Sequence, residues 1–273
     1  MTETGDRADR RRRLGWAGLI VLILGWFLLP QIVGLFVFDL DDMDDGYATV
    51  RSTIASDLGM DVGGILILAL VVWRLGWWRL VWYEARRVRP WVAVVPVSLL
   101  VYCVLVTDYG QLAEVPGSLV VVFGLAMVST AVSEELLFRG VALQTMRDRY
   151  REGWAVFWSC FLFGAIHLVN AVVVGGAALG QVLIAFVSGY LLYLCLRVGR
   201  GLWLPIVVHA AIDFAQFSSG VGYAEPPLSD ALAYEALLLL VLGGVLLAGR
   251  RRISPRGPAD PTAVAGADEI SPG

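Results

Sequence analysis

Apolar residues in this chain come in long, nearly unbroken runs. Half-buried strands would alternate, and amphipathic helices would repeat every three or four residues. A helix needs about 20 apolar residues to cross the hydrocarbon of a bilayer. Eight runs of that kind can be drawn, at residues 14–38, 58–77, 91–107, 118–146, 154–174, 181–198, 202–217 and 231–248. Arg74 interrupts the end of the second, and the third is short. The pattern predicts an all-α, polytopic membrane helical bundle of about eight transmembrane helices.

The polar residues between the runs set its direction. All 21 basic residues are arginine, and arginine-rich connections stay in the cytoplasm. Arg7, Arg10, Arg11, Arg12 and Arg13 precede the first run, and Arg79, Arg86, Arg87 and Arg89 follow the second. Arg147, Arg149 and Arg151 follow the fourth, Arg197 and Arg200 the sixth, and Arg250, Arg251, Arg252 and Arg256 the eighth. With eight crossings these all fall on one side. The opposite connections carry Arg51 and are otherwise acidic or neutral, with Asp39, Asp41, Asp42, Asp44 and Asp45, then Asp108 and Glu114, then Glu225 and Asp230. Both termini are therefore expected in the cytoplasm.

Composition supports a membrane location: 58% of residues are hydrophobic and 16% charged, with a mean hydropathy of +0.72. Soluble domains carry about 25% charged residues. The first run is longer than a signal-peptide core of about 7–15 residues and shows no small-residue cleavage site, so it is expected to stay as an anchor. Cys103, Cys160 and Cys195 all lie within runs and are odd in number, which argues against a disulfide framework. The basic arm, residues 1–13, suits anionic headgroups and does not call for nucleic acid. The tail, residues 249–273, is rich in Pro, Ala, Gly and Asp and is expected to be disordered. There is no internal repeat, nucleotide-binding glycine loop or G-x-S-x-G elbow.

The chemistry is in the ionisable residues that interrupt the runs, since each costs several kcal/mol in hydrocarbon unless it faces a partner or water. In "SEELLFRG", Glu135 and Arg139 stand four residues apart and share a helix face. Glu134, about 100° round the helix, has no such partner. A carboxylate without a counterion in a poorly solvated pocket suits general acid or base work near neutral pH. The only two histidines, His167 and His209, also lie within runs, and Asp213 follows His209 by one helical turn. Counted from the arginine-rich ends, these groups are expected to meet in the cytoplasmic half of the membrane.

The ordered set "EELLFR" (residues 134–139), "FGAIH" (163–167) and "HAAID" (209–213) resembles the CAAX protease and bacteriocin-processing family, also called CPBP or Abi. These are intramembrane proteases that include the Ras-converting enzyme. The resemblance covers about residues 118–217. It implies a four-helix catalytic core there, and the apolar runs outside it leave three accessory helices in residues 14–117 and a loop and last helix in residues 218–248. It also implies an intramembrane endopeptidase reached from the cytosolic side, acting on a membrane-associated peptide or protein. Glu134 would activate water, His167 would hold that water or a metal, and His209 would coordinate the same centre or stabilise the oxyanion. Asp213 would fill a position that is Asn in the Ras-converting branch, and Glu135 and Arg139 would brace the site. Zn²⁺ held by Glu134, His167 and His209 and a metal-free glutamate mechanism both remain open. No H-E-x-x-H helix is present.

Taken singly, each of these residues could serve structure alone. Glu135 and Arg139 could simply lock helices together, and a lone membrane histidine is often a hydrogen-bonding core residue. Phe163 and Cys160 read as packing, and Gln144, Asn170 and Tyr190 as interhelical hydrogen-bonding groups. An ion or proton-coupled transporter would use the same residue types, though with repeat symmetry and broken helices; a non-catalytic membrane scaffold would need none of them. The arginine-only basic usage fits a GC-rich bacterial genome and hence a bacterial plasma membrane.

Overall fold

Residues 13–170, 178–224, 231–249 and 253 are described in the computed structural model, and each apolar run contains a helix. These are α1 (Trp16–Val37), α2 (Val50–Leu75), α3 (Pro90–Val106), α4 (Gly117–Arg147), α5 (Glu152–Ile166), α6 (Ala178–Gly199), α7 (Trp203–Phe217) and α8 (Ala231–Gly249). Among the described residues the architecture is all-α, with one isolated β-bridge between Tyr83 and Gly201. Helices α1, α2, α4, α5 (continued to Val169) and α6 are long and apolar enough to cross a membrane, which makes this a multi-pass membrane protein. Helices α3 and α8 are apolar but shorter over their hydrophobic stretches, and α7 has 15 residues.

Helix α7 packs against α3, α4, α6 and α8, and α4 also packs against α2. That central position explains why His209, Ile212 and Ala215 on α7 are buried. Small residues let the helices approach, as is usual in membrane bundles. At Gly164 of α5 a Cβ would lie 2.9 Å from the Val182 carbonyl oxygen of α6, so the two backbones meet there.

Helix α2 starts at Val50, eight residues before the second apolar run begins. Thr49 and Ser52 form a reciprocal capping box, which fixes the start. A π-helical turn, Ile54–Leu58, then carries polar Ser56 and Asp57 into the bundle. The fifth run ends its α-helix at Ile166 and continues as a 3₁₀ turn, His167–Asn170, while residues 171–174 lie outside the described part. The basic arm and the tail also lie almost wholly outside it.

The arginine-rich helix ends do more than set orientation. Arg147 Nη2 lies 2.6 Å from both Glu84 Oε2 and Glu152 Oε1. The Tyr193 hydroxyl donates to Glu152 Oε1 (2.7 Å), and Arg197 Nη1 donates to that hydroxyl (2.9 Å). Arg197 Nη2 donates in turn to the Arg87 carbonyl (2.5 Å). This network joins the α2–α3 connection to α4, α5 and α6. On the opposite side Arg51 is paired with Asp39 and Asp42, at 2.5 Å each. The three cysteines are buried and unpaired, and Gln144 Nε2 donates to the Leu80 carbonyl (3.0 Å). Tyr190 stacks on Tyr193, while the side chain of Asn170 lies outside the described part.

Candidate active site

Immediately after Glu135, α4 changes to a π-helical stretch, Leu136–Ala142, in which every residue is buried. Such bulges often mark functional sites. Arg139 still reaches back to Glu135, with Nη1 2.7 Å from Oε1 and both side chains at most 1% exposed. The guanidinium carbon of Arg139 lies 4.1 Å from the centre of the Phe163 ring. Its Nη2 is buried without a hydrogen-bond partner. Gly189 of α6 makes room for it, since a Cβ there would lie 3.3 Å from Nη2.

Glu135 Oε1 also accepts from Nδ1 of His209 (2.9 Å). With Nδ1–H spent on Glu135, the other ring nitrogen, Nε2, is directed at two carboxylates, Glu134 Oε2 (3.7 Å) and Asp213 Oδ2 (3.4 Å). The carboxylate that lacked a partner on its own helix therefore meets one from α7. Arg139, Glu135, His209, Glu134 and Asp213 form one continuous chain of contacts.

His167 joins through Phe163. Its Nδ1–H donates to the Phe163 carbonyl (2.8 Å), which leaves the Nε2 lone pair without a hydrogen-bond partner among the described residues. The Phe163 ring meets His167 edge-on at 5.2 Å between centres, His209 at 5.8 Å and Phe138 at 5.3 Å. Phe163 is thus a packing residue that fixes three site groups at once.

Glu134, His167, His209 and Asp213 line one cavity of about 360 Å³. Three further carboxylates line it that spacing along the chain did not reveal: Asp57 and Asp61 of α2 and Glu235 of α8. Asp61 Oδ2 accepts from Thr130, one turn before Glu134 on α4, and from Ser129 (3.4 Å). Glu235 accepts from Ser188 (3.1 Å) and from Gln216. Tyr47, in the α1–α2 connection, faces Asp57, and burial followed by that nearby carboxylate holds its phenol well above the usual range. The sequence does hold a clue, since Asp61 and Glu235 are carboxylates set inside apolar helices.

The cavity reaches farther from the arginine-rich ends than its two central groups do. The cavity wall includes Tyr47, Asp57 near the start of α2, Val169 beyond the end of α5, Gln181 near the start of α6, Phe217 at the end of α7 and Glu235 near the start of α8. All of these are helix ends away from the arginine clusters. His167 sits beyond the last residue of α5 at that same end, while Glu134 lies just past the middle of the 31-residue α4. Glu134 and His209 stand near the middle of their helices, slightly toward the arginine-rich ends, while His167 and the rest of the wall extend the cavity toward the arginine-poor end.

The donor set is chemically that of a catalytic zinc, with two imidazoles and a carboxylate. His167 has the carbonyl-anchored Nδ1–H common in metal-ligating histidines. Among the described residues no three His, Cys, Asp or Glu side chains are already gathered closely enough to hold a metal ion.

Residues 116–215, from the start of α4 to near the end of α7, match the family described as type II CAAX prenyl endopeptidase Rce1-like. The chain carries a domain of this family. No curated protein and no solved structure matches the chain. A CAAX endopeptidase domain implies an intramembrane protease, and the buried Glu135 and His209 are consistent with one. Asp57, Asp61 and Glu235 reach the cavity from outside the CAAX endopeptidase domain.

Proposed function

We propose that this protein is an intramembrane endopeptidase that hydrolyses a peptide bond of a membrane-associated protein or peptide, with Glu134 as general base. The supporting observation is that Glu134 and Nε2 of His209 stand 3.7 Å apart across the wall of one cavity. Glu134 takes a proton from water, the water oxygen bonds to the scissile carbonyl carbon, and the C–N bond then breaks. Glu134 returns the proton to the departing nitrogen, so the products are a carboxylic acid and an amine. His209, as an imidazolium whose Nδ1–H is held by Glu135 and whose Nε2 side is flanked by Asp213, donates to the oxyanion from Nε2–H. Arg139 positions Glu135. His167 holds the attacking water from its free Nε2.

The eight helices would each cross the membrane with both termini in the cytoplasm, in the multi-pass manner of a bacterial plasma-membrane protein. The catalytic groups would then stand near the middle of the bilayer, with the cavity continuing toward its extracytoplasmic side. The test of function is mass spectrometry of peptides released from a solubilised membrane-protein fraction by the purified protein. New internal cleavages support a protease. A peptide profile identical to that of the untreated fraction contradicts it.

The free lone pair of His167 favours a second reading, in which Zn²⁺ is held by Glu134, His167 and His209 and supplies a water of lowered pKa together with polarisation of the carbonyl. Elemental analysis of the active protein decides between them. Stoichiometric metal that is lost in His167→Ala supports the zinc form, and full activity without metal supports glutamate and histidine alone.

A further inference from the structure

Four arginines, Arg87, Arg89, Arg197 and Arg200, line a second pocket of about 340 Å³, and among the described residues of its wall none is aspartate or glutamate. The pocket lies where the α2–α3 connection meets the end of α6 and the α6–α7 turn, among the arginine-rich helix ends. It shares no described residue with the cavity around Glu134. Arg200 holds a left-handed backbone there (φ 55°), a conformation that glycine adopts with less strain.

Arg197 is buried, with 9% of its surface exposed. Its Nη1 donates to the Tyr193 hydroxyl (2.9 Å) and its Nη2 to the Arg87 carbonyl (2.5 Å), while Nε is buried with no hydrogen-bond partner among the described residues. Both acceptors are neutral. Glu152 stands one hydroxyl further on and is already paired with Arg147 (2.6 Å) and Arg86 (3.4 Å). A buried guanidinium without an anion of its own is costly. Arg87, Arg89 and Arg200 add three charges to the same wall, and none of them forms an ion pair among the described residues. Guanidinium forks match the oxygens of a phosphate group two bonds at a time.

A phosphate group can arrive free or on a lipid, and the surroundings favour the lipid. Ala93 of α3 lines the pocket. Val97, Val101 and Val104 continue its face along the helix and are 58%, 52% and 62% exposed. That stripe offers acyl chains an apolar track leading away from the arginines, which a free phosphate does not use. We infer that the pocket is a binding site for an anionic phospholipid, its headgroup phosphate held by Arg87, Arg89, Arg197 and Arg200 and its chains laid along α3. The bound headgroup ties the α2–α3 connection to α6. This site is independent of the proteolytic reading.

The test uses the full chain in a neutral detergent, with phosphatidylglycerol and phosphatidylcholine of the same acyl chains offered at equal concentration. Both carry a phosphate, but only phosphatidylglycerol carries a net charge. Native mass spectrometry counts the lipid retained, and wild type is expected to keep at least about tenfold more phosphatidylglycerol. Arg87→Gln combined with Arg200→Gln, at two exposed positions, should lose most of that preference and unfold close to wild type when no lipid is added. Arg149→Gln combined with Arg151→Gln removes two exposed charges at the α4–α5 turn and should keep the preference. Equal retention of the two lipids by wild type, or equal loss in the two double variants, overturns the proposal. Phosphatidylglycerol should also raise the unfolding temperature of wild type and not that of the pocket variant. A rise of the same size with inorganic phosphate alone would assign the pocket to free phosphate and overturn the lipid site.

Discussion

Nδ1 of His209 is bound to Glu135 at 2.9 Å, and Arg139 grips the same carboxylate oxygen at 2.7 Å. One buried oxygen therefore fixes both the charge behind the site and the orientation of the imidazole in front of it. Because Nδ1 is committed as a donor, it is Nε2 that meets Glu134. The adjacent glutamates of "SEELLFRG" have separate tasks: Glu135 faces inward to the scaffold, and Glu134 faces the cavity.

Those tasks predict different failures. Glu135→Ala leaves the Arg139 guanidinium buried and unpaired, a change that typically costs about 3–5 kcal/mol. Thermal unfolding in detergent should show a large drop in Tm for Glu135→Ala. Glu134→Gln, altered on the cavity wall, should unfold close to wild type.

Arg147 sits between Glu84 and Glu152 with 7% of its side chain exposed. Arg147→Ala strands the nearly buried Glu84 carboxylate and loosens the α2–α3 connection from α4 and α5. The expected outcome is a Tm lowered by several degrees with the cleavage position unchanged, read by thermal unfolding beside peptide mapping.

Much of this arrangement is legible in the sequence, for physical reasons that also mark where legibility stops. Glu134, Glu135, Arg139, His209 and Asp213 stand out because charge in an apolar run demands a partner, and helical spacing pairs Glu135 with Arg139 and His209 with Asp213. Asp61 and Glu235 also lie in apolar runs, but nothing in the spacing ties them to the site, because their partners lie on other helices: Thr130 and Ser129 for Asp61, Ser188 and Gln216 for Glu235. Such contacts leave no spacing signal. His167, at the end of α5, lies farther from the arginine-rich end than a shared cytoplasmic depth with the other groups implies. Thirteen residues at 1.5 Å each is about 20 Å, which already passes the midplane of a hydrocarbon layer about 30 Å thick. The polar start of α2 reads as a connection because Ser52, Thr53, Ser56 and Asp57 break the apolar run, whereas Thr49 caps a helix that includes them.

Orientation can be checked directly. The native cysteines are buried, so an introduced thiol labels over a low background. Gln181→Cys, on the cavity wall near the start of α6, should react in intact cells with a membrane-impermeant maleimide, and a reporter fused after Arg252 should lie in the cytoplasm. Labelling of Gln181→Cys only in inverted membranes would place the cavity on the cytoplasmic side.

His167 and His209 should differ in what they lose. His209→Ala removes the donor to the oxyanion and leaves Glu135 with Arg139 alone, so cleavage should fall by about 10²–10³-fold. His167→Ala leaves that chain of contacts intact, and its loss of rate should be accompanied by weaker water or metal retention. Steady-state rates of the two variants on one substrate, beside their metal content, separate the roles.

The most direct measurement compares wild type with Glu134→Gln, purified in the same detergent, on one peptide substrate found by mapping. Amide for carboxylate keeps the shape and abolishes the base, so the rate should fall by about 10²–10⁴-fold with the unfolding temperature preserved. Cleavage by Glu134→Gln at the wild-type rate would contradict the assignment of Glu134 as the group that activates water.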